Sequence, residues 1–183
     1  MFRRKLNPNA MRAVLDGNQL NMLNQANRLV ANGQPGQAGP LFAQLAADMT
    51  TSSHPRRAAN LHAQAAHAYA DSQDEAHALA HAQLALRLFI RWQMVQRTPV
   101  FYANIIRKMT ARGMASAVAA LQTEFGAAGS APAPQPAVAA VKHGNLPPAC
   151  SQCGGPLRSD EVTWVDAQTA ECIYCGALAK TTA

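Results

Sequence analysis

Charge is scarce in this 183-residue chain: Asp, Glu, Lys and Arg make up only 14% of it, against roughly 25% in an ordinary soluble domain. Aromatic residues are scarcer still, at 5%. Although 49% of the residues count as hydrophobic, Ala supplies 39 of them, against 34 for Leu, Ile, Val and Phe together. Ala packs closely but buries little area, which suits helix against helix and excludes a thick β-sandwich. No apolar run reaches the roughly 18–20 residues that a membrane-spanning helix needs. The start, MFRRKLNPN, is basic with no apolar stretch behind it, so no secretory leader is expected and a cytoplasmic location is. Catalytic signatures are missing as well. There is no H-E-x-x-H, no nucleophile elbow and no phosphate loop with its lysine, and Gly33, Gly36 and Gly39 have the wrong spacing for a dinucleotide loop. An enzyme is not expected.

Cysteine is absent from the first 149 residues and then concentrated, as Cys150-Ser-Gln-Cys153 and Cys172-Ile-Tyr-Cys175. The pairs are 18 residues apart, inside the C-x2-C-x15–20-C-x2-C window of a metal site. Two cysteines three apart can aim both sulfurs at one ion if the chain turns tightly. Gly154 and Gly176 follow the pairs, where a residue without a β-carbon tolerates positive φ. Four thiolates close a tetrahedral shell with no position left for water or substrate, the mark of a structural rather than a catalytic ion. One structural Zn2+ held by Cys150, Cys153, Cys172 and Cys175 is the expectation, and iron in the same shell is the open alternative. Disulfides would need an oxidising compartment, and a thioredoxin-like redox pair would need to open a helix.

This C-x-x-C-G pattern, present twice, resembles the zinc-ribbon family with rubredoxin-like knuckles. The resemblance implies a β-hairpin between the knuckles, Glu161–Val165 turning back through Ala167–Cys172. Ribbons of this kind serve nucleic-acid binding, protein docking and plain structure alike, so the resemblance implies metal and not a partner.

Residues from about Asn7 to Phe125 read as helices joined by short loops. Asn7-Pro8, His54-Pro55 and Thr98-Pro99 place Pro at helix starts, where its missing N–H costs nothing. Ser72-Gln-Asp-Glu75 has the form of a capping box. Positions recur at a spacing of 40: Gly33, Gln73 and Gly113 at turns, Leu29, Tyr69 and Met109 before them, Ala38, Ala78 and Val118 after, and Leu45, Ala85 and Phe125 beyond. Three hairpins, none able to bury its apolar face alone, would stack into a short solenoid. The pattern resembles a divergent tetratricopeptide-like array, best in the second hairpin at Tyr69, Ala78, Ala82 and Ala85. The family period is roughly 34, leaving about six extra residues per repeat. Pro40 falls within the first hairpin's second helix, which is therefore expected to start near Gly39-Pro40. The resemblance implies a concave groove lined by Asn27, Asn60, His67 and Arg107, suited to gripping a peptide backbone or a terminal carboxylate.

Residues 126–148 shift abruptly to Ala, Pro and Gly, a composition that cannot continue a helix and favours extended conformations. The expected organisation is thus a helical domain over 1–125, a linker over 126–148 and a metal module over 149–183. The linker would let the module move, with docking through Val138–Val141 as the alternative. Residues 1–125 carry 13 Lys and Arg against 6 Asp and Glu, or +7, whereas residues from 149 onward carry −2. Four thiolates on a dication add a further −2. Such a module is a poor match to phosphate, whose binding depends on Lys and Arg, and it could dock on its own basic helices.

Arg87, Arg91, Arg107, Lys108 and Arg112, with Trp92, Phe101 and Tyr102 nearby, could instead hold single-stranded nucleic acid, although aromatics in Ala-rich helices belong more simply in interfaces. His77 and His81 are four apart and could share an ion, but no carboxylate or third histidine is placed to complete a site, although His62 and His67 lie on the preceding helix. The expectation is a mainly α protein: a helical-hairpin array plus a small β module. It would act as a non-enzymatic intracellular adaptor that binds a protein partner, with nucleic-acid association through the basic helices as the alternative.

Overall fold

The structure, a computed structural model, describes residues 15–52, 54–129, 143–159 and 162–181. Six helices come first: α1 (Gly17–Ala31), α2 (Pro35–Thr51), α3 (Pro55–Asp71), α4 (Glu75–Arg91), α5 (Arg97–Ala111) and α6 (Ala115–Gly129). Three short strands follow, β1 (Thr163–Trp164), β2 (Thr169–Glu171) and β3 (Leu178–Lys180), in one antiparallel sheet of order β1-β2-β3. The chain is mainly α with a small β module, as its composition implies.

One turn design links the helices. After α1, the Gly33 N–H donates to Val30 and the Gln34 N–H to Leu29, with Gly33 at φ 73°. This is the Schellman arrangement, in which a left-handed residue lets two N–H groups satisfy the last carbonyls of a helix. The same pair of bonds recurs after α3 from Gln73 and Asp74, after α4 from Gln93 and Met94, and after α5 from Gly113 and Met114. Gln73, Gln93 and Gly113 all have positive φ. After α2, His54 N–H donates to Met49 in the matching place. The cadence is therefore 20 residues, one helix plus one turn, and the spacing of 40 is two such units. Residues that receive the longer bond, Leu29, Met49, Tyr69, Phe89 and Met109, lie 20 apart. So do the buried Leu45, Ala65, Ala85, Ile105 and Phe125. The extra length per hairpin lies in the helices, which run 15 to 17 residues.

Two local expectations are corrected. Helix α2 begins at Pro35, and Pro40 lies inside it. Pro40 is exposed; it lacks the N–H that would bond back to the Gly36 carbonyl, and the helix continues past it at the loss of that one bond. The capping box at Ser72 does not form. Ser72 closes α3, its hydroxyl donating to the Tyr69 carbonyl, and Asp74 caps α4 by accepting from the His77 N–H. Glu75 is thereby freed to reach α6, where its carboxylate accepts from the Ser116 hydroxyl and the Ala117 N–H. A capping box does form at Asp16 and Gln19, ahead of α1. Pro55 opens α3 as expected, whereas α5 starts at Arg97, two residues before Pro99. Asn7-Pro8 lies outside the described residues.

Helix α3 is the centre of the molecule, packed against α2, α4 and α5. It is buried almost all round, from Ala58 through Ala70, and its small side chains let neighbours approach. Gly39 of α2 lies so near the Tyr69 ring that a β-carbon there would sit 2.9 Å from it. Such a helix needs covering on the side away from α2 and α4, and the C-terminal module supplies that cover. Of the segment expected to be a linker, residues 126–129 extend α6. Residues 143–148 belong with the module: the His143 ring stacks on Trp164 at 3.9 Å and Leu146 packs on the core. Val138–Val141 lie outside the described residues.

Candidate metal centre and its seat

Two knuckles with the same hydrogen bonding bring the cysteines together. In the first, Cys150 N–H donates to Gly155 and Gly154 N–H donates back to Cys150; in the second, Cys172 N–H donates to Ala177 and Gly176 N–H to Cys172. All four bonds measure 2.8 Å, and each turn is closed by a glycine at positive φ, 69° at Gly154 and 80° at Gly176. Between the knuckles, Thr163 pairs with Glu171 and Trp164 with Ala170, the hairpin expected there, and β3 adds a third strand through Ala170–Ala179.

The four sulfurs converge within 4.8 Å of one another and all four residues are buried. Cys150 and Cys175 are 3.7 Å apart, Cys153 and Cys172 3.8 Å. A disulfide would bring the atoms to about 2 Å. Four sulfurs at about 2.3 Å from a tetrahedral ion would stand about 3.8 Å apart, so the donor set fits one thiophilic ion in a closed shell. Hydrogen bonding among the sulfurs pushes the Cys150 thiol down and the Cys153 thiol up, the competition for protons that a dication would replace.

The module seats on the side presented by α1 and α3. Asn27 Nδ2 of α1 donates to the Cys153 carbonyl at 2.6 Å, and Asn60 Nδ2 of α3 donates to the Ile173 carbonyl at 3.2 Å. One amide thus grips each knuckle. Gln64 Nε2 donates to the buried Tyr174 hydroxyl at 2.6 Å. Arg57 Nη2 pairs with Glu171 at 2.8 Å, and its guanidinium covers the second knuckle so closely that a β-carbon on Gly176 would fall 2.4 Å from it. Arg57 and Glu171 thus place one pair of opposite charges across the seat.

Of the four groove residues named from the sequence, Asn27 and Asn60 therefore hold the chain's own module. His67 and Arg107 line the space beside it. The His67 ring sits edge-on to Phe101 at 5.4 Å with Nδ1 buried and unpartnered. Burial, helped by Lys108 and Arg158, lowers its pKa to about 4. Arg107 bonds to Asn104 at 2.8 Å. Sequence reasoning missed Arg57, Gln64 and Tyr174. Only the opposite charges of Arg57 and Glu171 marked any of them.

Other candidates disperse. His77 pairs with Asp74 at 2.8 Å while His81 Nδ1 lies 3.0 Å from His62 Nδ1, and Tyr69 stacks on the rings of both His77 and His81. Phe101 and Tyr102 are buried, and Arg87 is paired with Glu124 at 2.7 Å. Among the described residues no helix is long and apolar enough to cross a membrane. Comparison of the chain with family models, curated proteins and solved structures yields no match.

Proposed function

We propose that this protein is a non-catalytic adaptor: a tetratricopeptide-like helical body that recognises polypeptide, carrying a structural zinc ribbon in its groove. The observation that carries the reading is the pair of side-chain amides, Asn27 and Asn60, each donating to a main-chain carbonyl of the ribbon. These two amides support a face of the helical body that binds main-chain carbonyls, here those of the chain's own module. Zinc suits the four thiolates and the S–S separations, and it would act as a staple for a segment too small to fold by apolar burial alone. The alternative, nucleic acid held by the basic helices and stacked on Trp92, Phe101 and Tyr102, keeps Trp92 exposed but is less well served at Phe101 and Tyr102, which are buried.

The full-length zinc-loaded protein, carrying a photo-crosslinker on the exposed helical surface near Arg107, tests the reading against cell extract with and without nuclease. Crosslinked protein that survives nuclease and 0.3 M salt supports the adaptor. Capture of nucleic acid alone, lost steeply with salt, would replace it with the alternative.

A further inference from the structure

Among the described contacts between the cysteine module and the helices, three join one short run of each. On α3, Arg57, Asn60 and Gln64 stand at i, i+3 and i+7, along one face of the helix. They meet Glu171, Ile173 and Tyr174 in the same order. Arg57 Nη2 pairs with the Glu171 carboxylate at 2.8 Å, Asn60 Nδ2 donates to the Ile173 carbonyl at 3.2 Å, and Gln64 Nε2 donates to the Tyr174 hydroxyl at 2.6 Å. The outer contacts read side chains and the middle one holds the main chain, while the Ile173 side chain is buried. A stripe of α3 thus reads four consecutive residues, Glu171 to Tyr174, of which only Cys172 belongs to the metal centre.

The match is incomplete at its acidic end. Glu171 engages Nη2 of Arg57, whereas Nη1 is buried without a hydrogen-bond partner. That nitrogen lies against the module, 2.5 Å from where a β-carbon on Gly176 would fall. Glu171 is held in β2, paired with Thr163 on one side and Leu178 on the other, and meets the guanidinium through one oxygen. A carboxylate free of the sheet can take both Nη atoms as a fork, the stronger arrangement. The module's advantage over such a ligand is its covalent tether, which keeps its effective concentration high. We propose that the Arg57–Asn60–Gln64 face of α3 is a binding site for a short turn of another protein, with an acidic residue followed by any residue, an apolar residue and tyrosine, and that the seated module is its built-in competitor. This rests on the adaptor reading and adds what the body recognises and what keeps it closed.

Fluorescence anisotropy with the metal-loaded full-length protein tests this. The probe is a labelled peptide of residues 169–177 carrying Cys172→Ser and Cys175→Ser, which keeps the glutamate, isoleucine and tyrosine. In the protein, Glu171→Lys/Tyr174→Phe removes two of the module's holds on α3 and leaves the stripe and the cysteines intact. This variant should bind the peptide one-to-one and roughly tenfold or more tighter than the parent, with helical circular dichroism unchanged. Cys153→Ser, which releases the module by a different route, should do the same. In either released form Arg57→Gln should weaken binding roughly tenfold. A peptide with glutamine in place of its glutamate should then lose nothing more, because the two changes remove one contact. Arg87→Gln, on α4 and paired with Glu124, is the control and should change nothing. Equal affinity of the parent and both released forms would overturn the competition, and an equal loss in Arg87→Gln or no saturable binding by either released form would overturn the site. Protein crosslinked near Arg107 in that last case would still uphold the adaptor reading, so the two fail separately. Concentration-dependent dimers of the parent without peptide binding would make a second copy's module the occupant and overturn the assignment to another protein.

Discussion

Removing the two amides that grip the knuckles, in Asn27→Ala/Asn60→Ala, is the sharpest test of how the module is held. Each forms one hydrogen bond to a carbonyl of the module, at 2.6 and 3.2 Å, and such a bond contributes about 1 kcal/mol net. Alanine removes the Asn60 amide altogether, including its buried, unpartnered Oδ1, so that residue's share is the smaller. Together they stabilise docking by about 2 kcal/mol, or roughly thirty-fold in the equilibrium between seated and released module. All four cysteines are buried in the seated module, so a chelator reaches the thiolates mainly through the released state. The assay is the rate of metal transfer from loaded protein to excess chelator, followed by absorbance. A rise of ten- to thirty-fold in the double variant is expected, with a few-fold in each single one, and helical circular dichroism unchanged. Because both residues act on one rigid seat, the cycle of single and double variants reports their coupling. A double variant that releases metal within twofold of the parent would refute the account, since the bonds would then do nothing to keep the module in place.

Other outcomes follow from particular contacts. Cys153→Ser should abolish stoichiometric metal binding and release the module, while urea denaturation shows the helical body folded but weakened through the uncovered face of α3; collapse of helicity would mean that the body does not fold without it. Gln73→Gly and Gln93→Gly should each raise stability by about 1 kcal/mol, because both glutamines hold positive φ, 62° and 51°, that glycine adopts freely; an unchanged or lower urea midpoint counts against the turn assignment. Burial, together with neighbouring His81, lowers His62 to about 4. Between pH 4 and 6.5 the unfolded chain therefore binds more protons at this residue, and stability is full above about 6.5 and declines as pH falls towards 4. A loss of up to about 2 kcal/mol on going from pH 7 to 5 is expected from this residue, absent in His62→Gln, and an NMR titration of His62 near 6.5 would remove the basis for it.

How much of this was legible beforehand differs by element. The metal centre could be read residue by residue, because C-x-x-C-G encodes a whole knuckle locally: two ligands, a turn and the glycine that permits it. The helices could be read from Ala, Leu and Pro, and the turns at Gly33, Gln73 and Gly113 from their recurrence. The turn at Gln93 was not found, since neither Gln93 nor Met94 has the composition of a turn, and the cadence was taken as 40 instead of 20. The start of α2 is misplaced at Pro40 because a proline inside a helix removes one hydrogen bond without having to end the helix, and Pro35 holds the first position instead. At Ser72 two residues competed to cap α4, and the left-handed turn at Gln73 gave the place to Asp74. The seat of the module was the least legible part. Asn27 and Asn60 were singled out as donors in a groove, but their acceptors lie 126 and 113 residues away, and nothing local in either partner names the other.

That same separation orders events in time. Every helix-to-helix turn closes over a few residues, and the Schellman turns can form as soon as the chain around them exists. The bonds from Asn27, Arg57, Asn60 and Gln64 to the module span 110 to 126 residues and bear the largest loop-closure cost in the molecule. They are therefore the last to form and the first to be lost. The cysteines, at most 25 residues apart, close over far shorter loops, so an ion would be gathered by the module on its own and the seating on the helices would follow.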